Sequence, residues 1–410
     1  MLLSTEREPV DTEHRPRLPA LVYVVAAGIF LMGTTEFMLA GLLPDVASDL
    51  GVDVTRAGML ITAFAVGMII GPPIMALATL RLPARATLVG ALLVFAAGHI
   101  VAALSDSFTV VAVSRVITAL TTGTFWAIGA VVATTVAGPA ARARALAVMS
   151  GGLSLAVVAG VPLGTFAGLF TGWRGPFWML AALAVVTAAA VRRMAPATIG
   201  ESSSDGSIGT QISAVRSWRM WVVLAAIVLA QAGFLGMYSF ISPLLTDRAG
   251  IPSALVPVVL VGFGIGALVG TVVGGRFGDR HPWATIIVAV ASSTVGMLVL
   301  ASTSSNPTIT VALVVLLGAS GLGANPVLIA QTLRHAGAGS TLASSLATAA
   351  FNLGTAIGSA LAAATLSTSL GLVGPAVLGA AITGTALAPI AALALIHYRT
   401  SIFDRQGDPR

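Results

Sequence analysis

Twelve stretches of about 20 apolar residues divide the 410-residue chain, and no other feature restricts its fold as much. At a rise of 1.5 Å per residue, a helix of about 20 residues crosses roughly 30 Å of hydrocarbon. The windows fall near 20–43, 56–79, 86–104, 109–137, 146–169, 175–191, 221–245, 254–275, 284–302, 308–331, 341–366 and 376–396. Charged residues are only 9% of the chain and hydrophobic residues 57%, whereas a soluble domain carries about 25% charged residues. The segments are apolar on all sides, as lipid-embedded helices are and amphipathic surface helices are not. The expected fold is an all-α membrane protein of twelve transmembrane helices.

Arginine sets the orientation, because the chain has no lysine. With both termini in the cytoplasm, the inside loops and tails hold 17 Arg, the outside loops hold Arg56, Arg174 and Arg248, and Arg115 lies within the fourth segment. That bias matches the positive-inside rule. The net charge of +6 therefore reads as membrane topology, and no nucleic-acid partner is expected. The first apolar stretch is too long for a cleavable signal peptide and follows an acidic, polar tail.

Glycines divide the segments further. Every pair spaced four apart falls in segment two, five, eight or eleven: Gly67/Gly71, Gly160/Gly164/Gly168/Gly172, Gly262/Gly266/Gly270/Gly274/Gly278 and Gly354/Gly358. Small residues at that spacing let two helix backbones approach closely in lipid. A recurrence at every third helix predicts four three-helix units, the internal architecture of a transporter whose halves rock on a few smooth helix pairs. Gly160, Gly164, Gly266, Gly270, Gly354 and Gly358 are the expected packing positions. The organisation that follows is a disordered cytoplasmic tail (1–17), an N-terminal six-helix bundle (18–191), a Ser- and Gly-rich cytoplasmic linker (192–220), a C-terminal six-helix bundle (221–396) and a cytoplasmic tail (397–410). The two bundles are expected to be pseudo-symmetric.

Absences exclude several chemistries. Without lysine there is no Walker lysine and no Schiff base, and without cysteine no disulfide or thiolate site. The histidines, His14, His99, His281, His335 and His397, have no metal-ligand spacing. Gly262, Gly264 and Gly266 lack the rest of a dinucleotide fingerprint and lie in an apolar span. No enzyme activity, cofactor or metal is expected.

Of fifteen acidic residues only Glu36 lies well inside an apolar span. A charge there costs about 2.5 to 3.5 kcal/mol even on the lenient insertion scale, so it normally faces a cavity and serves function. The alternative is a structural carboxyl bonded to Thr34, Thr35 or a neighbouring helix. Arg115 is the matching base: a counter-ion to Glu36, a modulator of proton transfer, or an outer-end arginine snorkelling to the interface. Helical spacing puts Thr122 and Trp126 on its face. Gln231, Phe234, Tyr238 and Ser242 form a stripe on segment seven, and Asn325 is the central polar group of segment ten. Segments one, four, seven and ten are those left to line a cavity if the others form the packing faces. Met32, Thr122, Trp126, Gln231, Phe234, Tyr238 and Asn325 are the expected substrate contacts.

Local motifs then bring a resemblance. Gly33-Thr34-Thr35-Glu36-Phe37 through Leu43-Pro44-Asp45, ending Asp49-Leu50-Gly51, resembles the first-helix motif of the major facilitator superfamily, in its twelve-helix drug:proton antiporter branch. Gly160-Val161-Pro162-Leu163-Gly164 resembles the fifth-helix antiporter motif, which adds Pro162 to the packing positions. Gly172-Trp173-Arg174 follows it, and Asn352-Leu353-Gly354 resembles the eleventh-helix pattern. Gly275-Arg276-Phe277-Gly278-Asp279-Arg280 resembles the loop signature between helices eight and nine. The resemblance is strongest to chloramphenicol-resistance and arabinose-efflux-like exporters. It implies proton coupling through Glu36 and Arg115, and a gating latch at Asp279 and Arg280. The first-half loop offers Arg81 and Arg85 with Leu80 in place of the signature aspartate, so an asymmetric latch is expected, with Asp279 paired to a neighbouring helix end, Arg276 or Arg280.

The expected function is proton-driven export of small amphipathic compounds by alternating access, from a bacterial inner membrane, by a monomer whose partners are substrate, protons and lipid. A proton-linked sugar or nutrient transporter on the same fold is the alternative, and it would call for a cavity richer in Asn, Gln and acidic groups.

Overall fold

A computed structural model describes residues 18–78, 83–138, 141–196, 216–336 and 341–406. Twelve helices in it are long and apolar enough to cross a membrane. They are α1 (Ala20–Asp49), α2 (Val54–Ala78), α3 (Ala84–Leu104), α4 (Phe108–Ala137), α5 (Arg144–Thr171), α6 (Arg174–Met194), α7 (Trp218–Tyr238), α8 (Ser253–Arg280), α9 (Pro282–Thr303), α10 (Pro307–Ala336), α11 (Thr341–Thr365) and α12 (Gly371–Ile396). No strand occurs among the described residues.

The helices stop where the chain removes backbone donors or reverses its dihedrals. Pro282 and Pro307 open α9 and α10 in the first turn, where a missing N–H costs nothing. Asn306 caps α10, its side-chain oxygen accepting from the N–H groups of Thr308 (3.0 Å) and Ile309 (3.2 Å). Gly172 ends α5 at φ 67°, a conformation that only glycine adopts without strain.

Four helices are interrupted. A π turn at Ala156–Gly160 divides α5, just before Pro162. The helix of α7 stops at Tyr238 and resumes as Ile241–Pro243 and a π turn at Leu244–Arg248. Breaks at Ala324 and Ala386 divide α10 and α12, each shortly before a proline, Pro326 or Pro389. After the second break the helix runs as Leu387–Gln406, so most of the stretch expected as a C-terminal tail is helical. The N-terminal tail 1–17, Arg81 and linker residues 197–215 lie outside the described residues.

The glycine faces are close-packed, but not where the halves meet. A Cβ on Gly67 or Gly71 would strike α4 at Val116, Ala119 and Leu120, and one on Gly160, Gly164 or Gly168 would strike Thr34, Met38 or Leu42 of α1. Gly266, Gly270 and Gly274 face Val315, Ala319 and Gly323 of α10, and Gly354 and Gly358 face α7 at Val228 and Ala232. The pairings are thus two–four and five–one in the first half, eight–ten and eleven–seven in the second. This corrects the expectation of sliding glycine surfaces: the glycines lock helices within each half, in matching positions. Pro162 is buried beside them.

The halves meet along α2 with α11, and along α5 with α8. Across the seam Thr62 and Ser359 share a hydroxyl–hydroxyl bond of 2.7 Å, Gly58 of α2 lies under the Phe240 ring just beyond α7, and Gly41 of α1 lies under Leu260 of α8. Gly264 alone of the α8 glycines meets the partner half's backbone, at Val157 and Val158. These contacts sit from mid-bundle to the end opposite the termini. Nearer the terminal end, Gly151 of α5 and Gly275 of α8 have nothing within 4 Å of an added Cβ. The described contacts between the halves thus lie at mid-bundle and towards the distal end.

Candidate functional site

Glu36 stands midway along α1 and is half-buried, although Thr34, Thr35 and Met38 around it are buried. No hydrogen bond or ion pair holds its carboxylate among the described residues. Next to it, Phe37 meets Tyr238 of the second half edge-on at 6.3 Å. Glu36 therefore flanks the seam between halves rather than being enclosed in one.

Arg115 does not pair with Glu36 in this conformation, and it does not snorkel to the interface. It is 1% exposed and reaches from α4 to α1, where Nη1 donates to Thr35 Oγ1 at 2.9 Å and Nη2 donates to the Thr35 carbonyl at 3.1 Å. Its guanidinium covers the Phe64 ring of α2 at 4.3 Å. The planar fork matches the two Thr35 oxygens, and an ammonium cannot span both while lying flat on a ring. Arg115→Lys is therefore expected to lose at least one charge-assisted bond, worth about 1.5 to 3 kcal/mol. The check is a lowered melting temperature of the detergent-solubilised protein, together with weaker transport. Arg115→Ala should reduce transport further.

His99 completes this centre and was not singled out by sequence, where it is one of five scattered histidines. It is 1% exposed, its Nε2 lies 2.8 Å from Thr35 Oγ1, and its Nδ1 lies 2.8 Å from the Phe95 carbonyl. Rings of Phe95 and Phe177 flank it at 4.1 and 5.3 Å. Only the fold brings α1, α3 and α4 to one point.

The second half repeats the helix pairing with neutral groups. Gln231 of α7 donates from Nε2 to Asn325 Oδ1 of α10 at 2.8 Å, beside the α10 break. A small cavity opens there, lined by Gln231, Phe234, Ser293, Ser320, Asn325 and Thr383. Three of the expected substrate contacts thus line one cavity. Tyr238 lies apart, stacked on Phe263 at 4.6 Å with its buried hydroxyl unpartnered. Met32 and Thr122 are fully buried in the first half, and the Thr122 hydroxyl donates back to Thr118 O at 2.9 Å. Trp126 is half-buried against the same core.

Among the described residues no ion pair engages the expected latch at the terminal end. Asp279, Arg276 and Arg280 are exposed, and among the described residues no ion pair involves Asp279; Arg85 is half-buried. The charged cluster that does form lies at the distal end. Arg174 pairs with Asp49 and, at 2.6 Å, with Asp106, while Trp173 Nε1 donates to Asp49 at 2.8 Å. This ties the start of α6 to the end of α1 and to the α3–α4 loop.

Comparison with known proteins fits this arrangement. The family model of the Major Facilitator Superfamily matches residues 25–359. The chloramphenicol resistance protein of Streptomyces lividans is 38% identical over 360 residues, covering 87% of this chain and 92% of that protein. The inner membrane transport protein YdhP of Escherichia coli (strain K12) is 32% identical over 363 residues, 88% and 93% of the two chains. YtbD of Bacillus subtilis (strain 168), an uncharacterized MFS-type transporter, is 30% identical over 376 residues, 90% and 94%. Twelve apolar helices, matching glycine locks in two halves and a match through most of the chain make this multi-pass membrane protein a member of the Major Facilitator Superfamily.

Proposed function

We propose that the chain exports small amphipathic compounds, chloramphenicol-like antibiotics among them, in exchange for protons across a bacterial inner membrane, with both termini in the cytoplasm. The observation that carries this reading is Glu36: a mid-membrane carboxyl at the seam between halves, half-open and held by no hydrogen bond or ion pair among the described residues, while the nearby arginine is bonded to Thr35. A proton arriving from outside neutralises Glu36, displaces substrate and permits return to the form open at the terminal end. The similarity to a chloramphenicol resistance protein favours export of such drugs.

A sugar carrier would need many free hydrogen-bonding groups in its cavity. Gln231 and Asn325 are already bonded to each other, and the other polar liners are hydroxyls, with Ser293 donating to Ser320 at 2.9 Å. That leaves a small, weakly polar cavity with few hydrogen-bonding groups free for a sugar. The test is a growth-inhibition panel of antibiotics and dyes in an efflux-deficient host. Raised tolerance to several amphipathic compounds, chloramphenicol included, that disappears with an uncoupler is the expected result. No change across the panel would overturn the export reading.

A further inference from the structure

The 2.7 Å bond between Thr62 of α2 and Ser359 of α11 crosses from one half to the other, and its direction can be read. Ser359 Oγ donates to the Ala356 carbonyl of its own helix at 3.3 Å, so in the bond across the seam Thr62 Oγ1 donates and Ser359 Oγ accepts. Each hydroxyl stands on a helix tied to its own half. Gly358, next to Ser359, would place a Cβ 2.6 Å from Ala232 C of α7, and on α2 Gly67 and Gly71 are seated against α4. The halves therefore cannot part along α2 and α11 while this bond is intact. One turn nearer the distal end, on the same face of α2, Gly58 receives the Phe240 ring, which is buried. We propose that the Thr62–Ser359 bond, with Phe240 seated on Gly58, is an uncharged latch that holds this seam shut and parts each time the distal end opens.

Its depth and chemistry suit that task. At 1.5 Å per residue, Thr62 lies about 12 Å from the distal start of α2, Ser359 about 9 Å from the distal end of α11, and Glu36 about 20 Å from the distal end of α1. The latch thus stands between the distal surface and the level of Glu36. An ion pair at this depth would strand two charges on opening, at high cost in lipid. Here nothing is stranded. Ser359 keeps the Ala356 carbonyl, and Thr62 can turn to the Gly58 carbonyl four residues earlier, as Thr34, Thr122, Thr165 and Thr355 do on their own helices. Opening breaks one neutral hydrogen bond and unseats one ring. That the distal end opens at all rests on the export reading; the latch is a property of the seam and is measured without substrate.

The chain has no cysteine, so Ser107→Cys and Ser369→Cys, both exposed in distal loops of opposite halves, place two spin labels across the distal mouth. Double electron–electron resonance on the full-length protein in detergent gives the ratio of long, open distances to short, closed ones. Thr62→Val, which keeps the shape and removes the donor, and Ser359→Ala should each raise that ratio roughly two- to twelve-fold, the worth of one neutral hydrogen bond. The double variant should go no further than either single one, because both remove the same bond. Thr62→Ser, which keeps the hydroxyl, should stay near the parent. Gly58→Ala, whose Cβ would lie 2.5 Å from Phe240 Cζ, should raise the ratio by unseating the ring. Melting temperatures identify the folded variants, and if one single variant fails to fold, the other decides together with Gly58→Ala. An unchanged ratio in the folded variants, or effects that add in the double variant, would overturn the latch. No drug or proton gradient is involved, so failure here is distinct from failure of the export reading, which the growth panel tests separately.

Discussion

Glu36→Gln is expected to abolish proton-driven export while leaving a folded protein that still binds and exchanges substrate. The carboxamide has nearly the shape of the protonated carboxyl but cannot give up a proton. Since no hydrogen bond or ion pair holds the carboxylate among the described residues, the substitution breaks no such bond there. Structural cost should therefore be small, and the loss should fall on coupling. One charge carried through 100 mV supplies about 2.3 kcal/mol, equivalent to roughly a fifty-fold concentration ratio at 1.4 kcal/mol per decade. In proteoliposomes with an imposed pH gradient, the variant should build no gradient, whereas substrate counterflow without a pH gradient should persist. Uphill transport by Glu36→Gln would remove Glu36 from the coupling role.

The sequence made the membrane helices legible because apolar length is a local property. The window near 109–137 became Phe108–Ala137, and that near 284–302 became Pro282–Thr303. Windows were misjudged where hydropathy and helix part company. At 20–43 the helix continues through Pro44 and Asp45 to Asp49, and after 396 it continues into polar sequence. A hydrophobic window marks what lies in lipid, not where the backbone stops being helical.

Contacts between distant segments were harder to read. The i, i+4 spacing showed that a close partner exists and could not say which, so glycines that lock α5 on α1 and α8 on α10 were expected to serve the seam between halves. His99 carries no signal of its own, since its role exists only once α1 and α4 bring Thr35 and Arg115 to it. Trp173 and Arg174 were visible as a motif, and so was Asp49, but their pairing across more than 120 positions is a product of folding. Asp279 shows the converse: a motif places it at a latch, yet a latch residue is paired only in the conformation that closes its end. Here the described contacts between the halves lie at mid-bundle and towards the distal end.

Bulky residues at the glycine locks should be the most damaging substitutions in the chain. At Gly270 an added Cβ would lie 2.6 Å from Ala319 C and Cα, and at Gly358 it would lie 2.6 Å from Ala232 C. These obstacles are backbone, which no rotamer change can clear, so two helices must separate along their length. Gly270→Leu and Gly358→Leu should each cost more than the typical 1 to 3 kcal/mol of overpacking. Expression and melting temperature in detergent are the measurements. Gly164→Leu should be milder, because the obstacle there is the Met38 side chain, flexible at its far end. Gly90, with nothing within 4 Å, should accept alanine and gain a few tenths to about 1 kcal/mol from helix propensity. Gly296 falls between, since its Cβ would meet Leu317 Cδ2 at 3.1 Å and that side chain has to give. Because the locks lie within halves, the damage should appear as loss of folded protein rather than as a shift between open and closed forms. A folded Gly270→Leu variant with altered access to its two faces would place the lock between the halves instead.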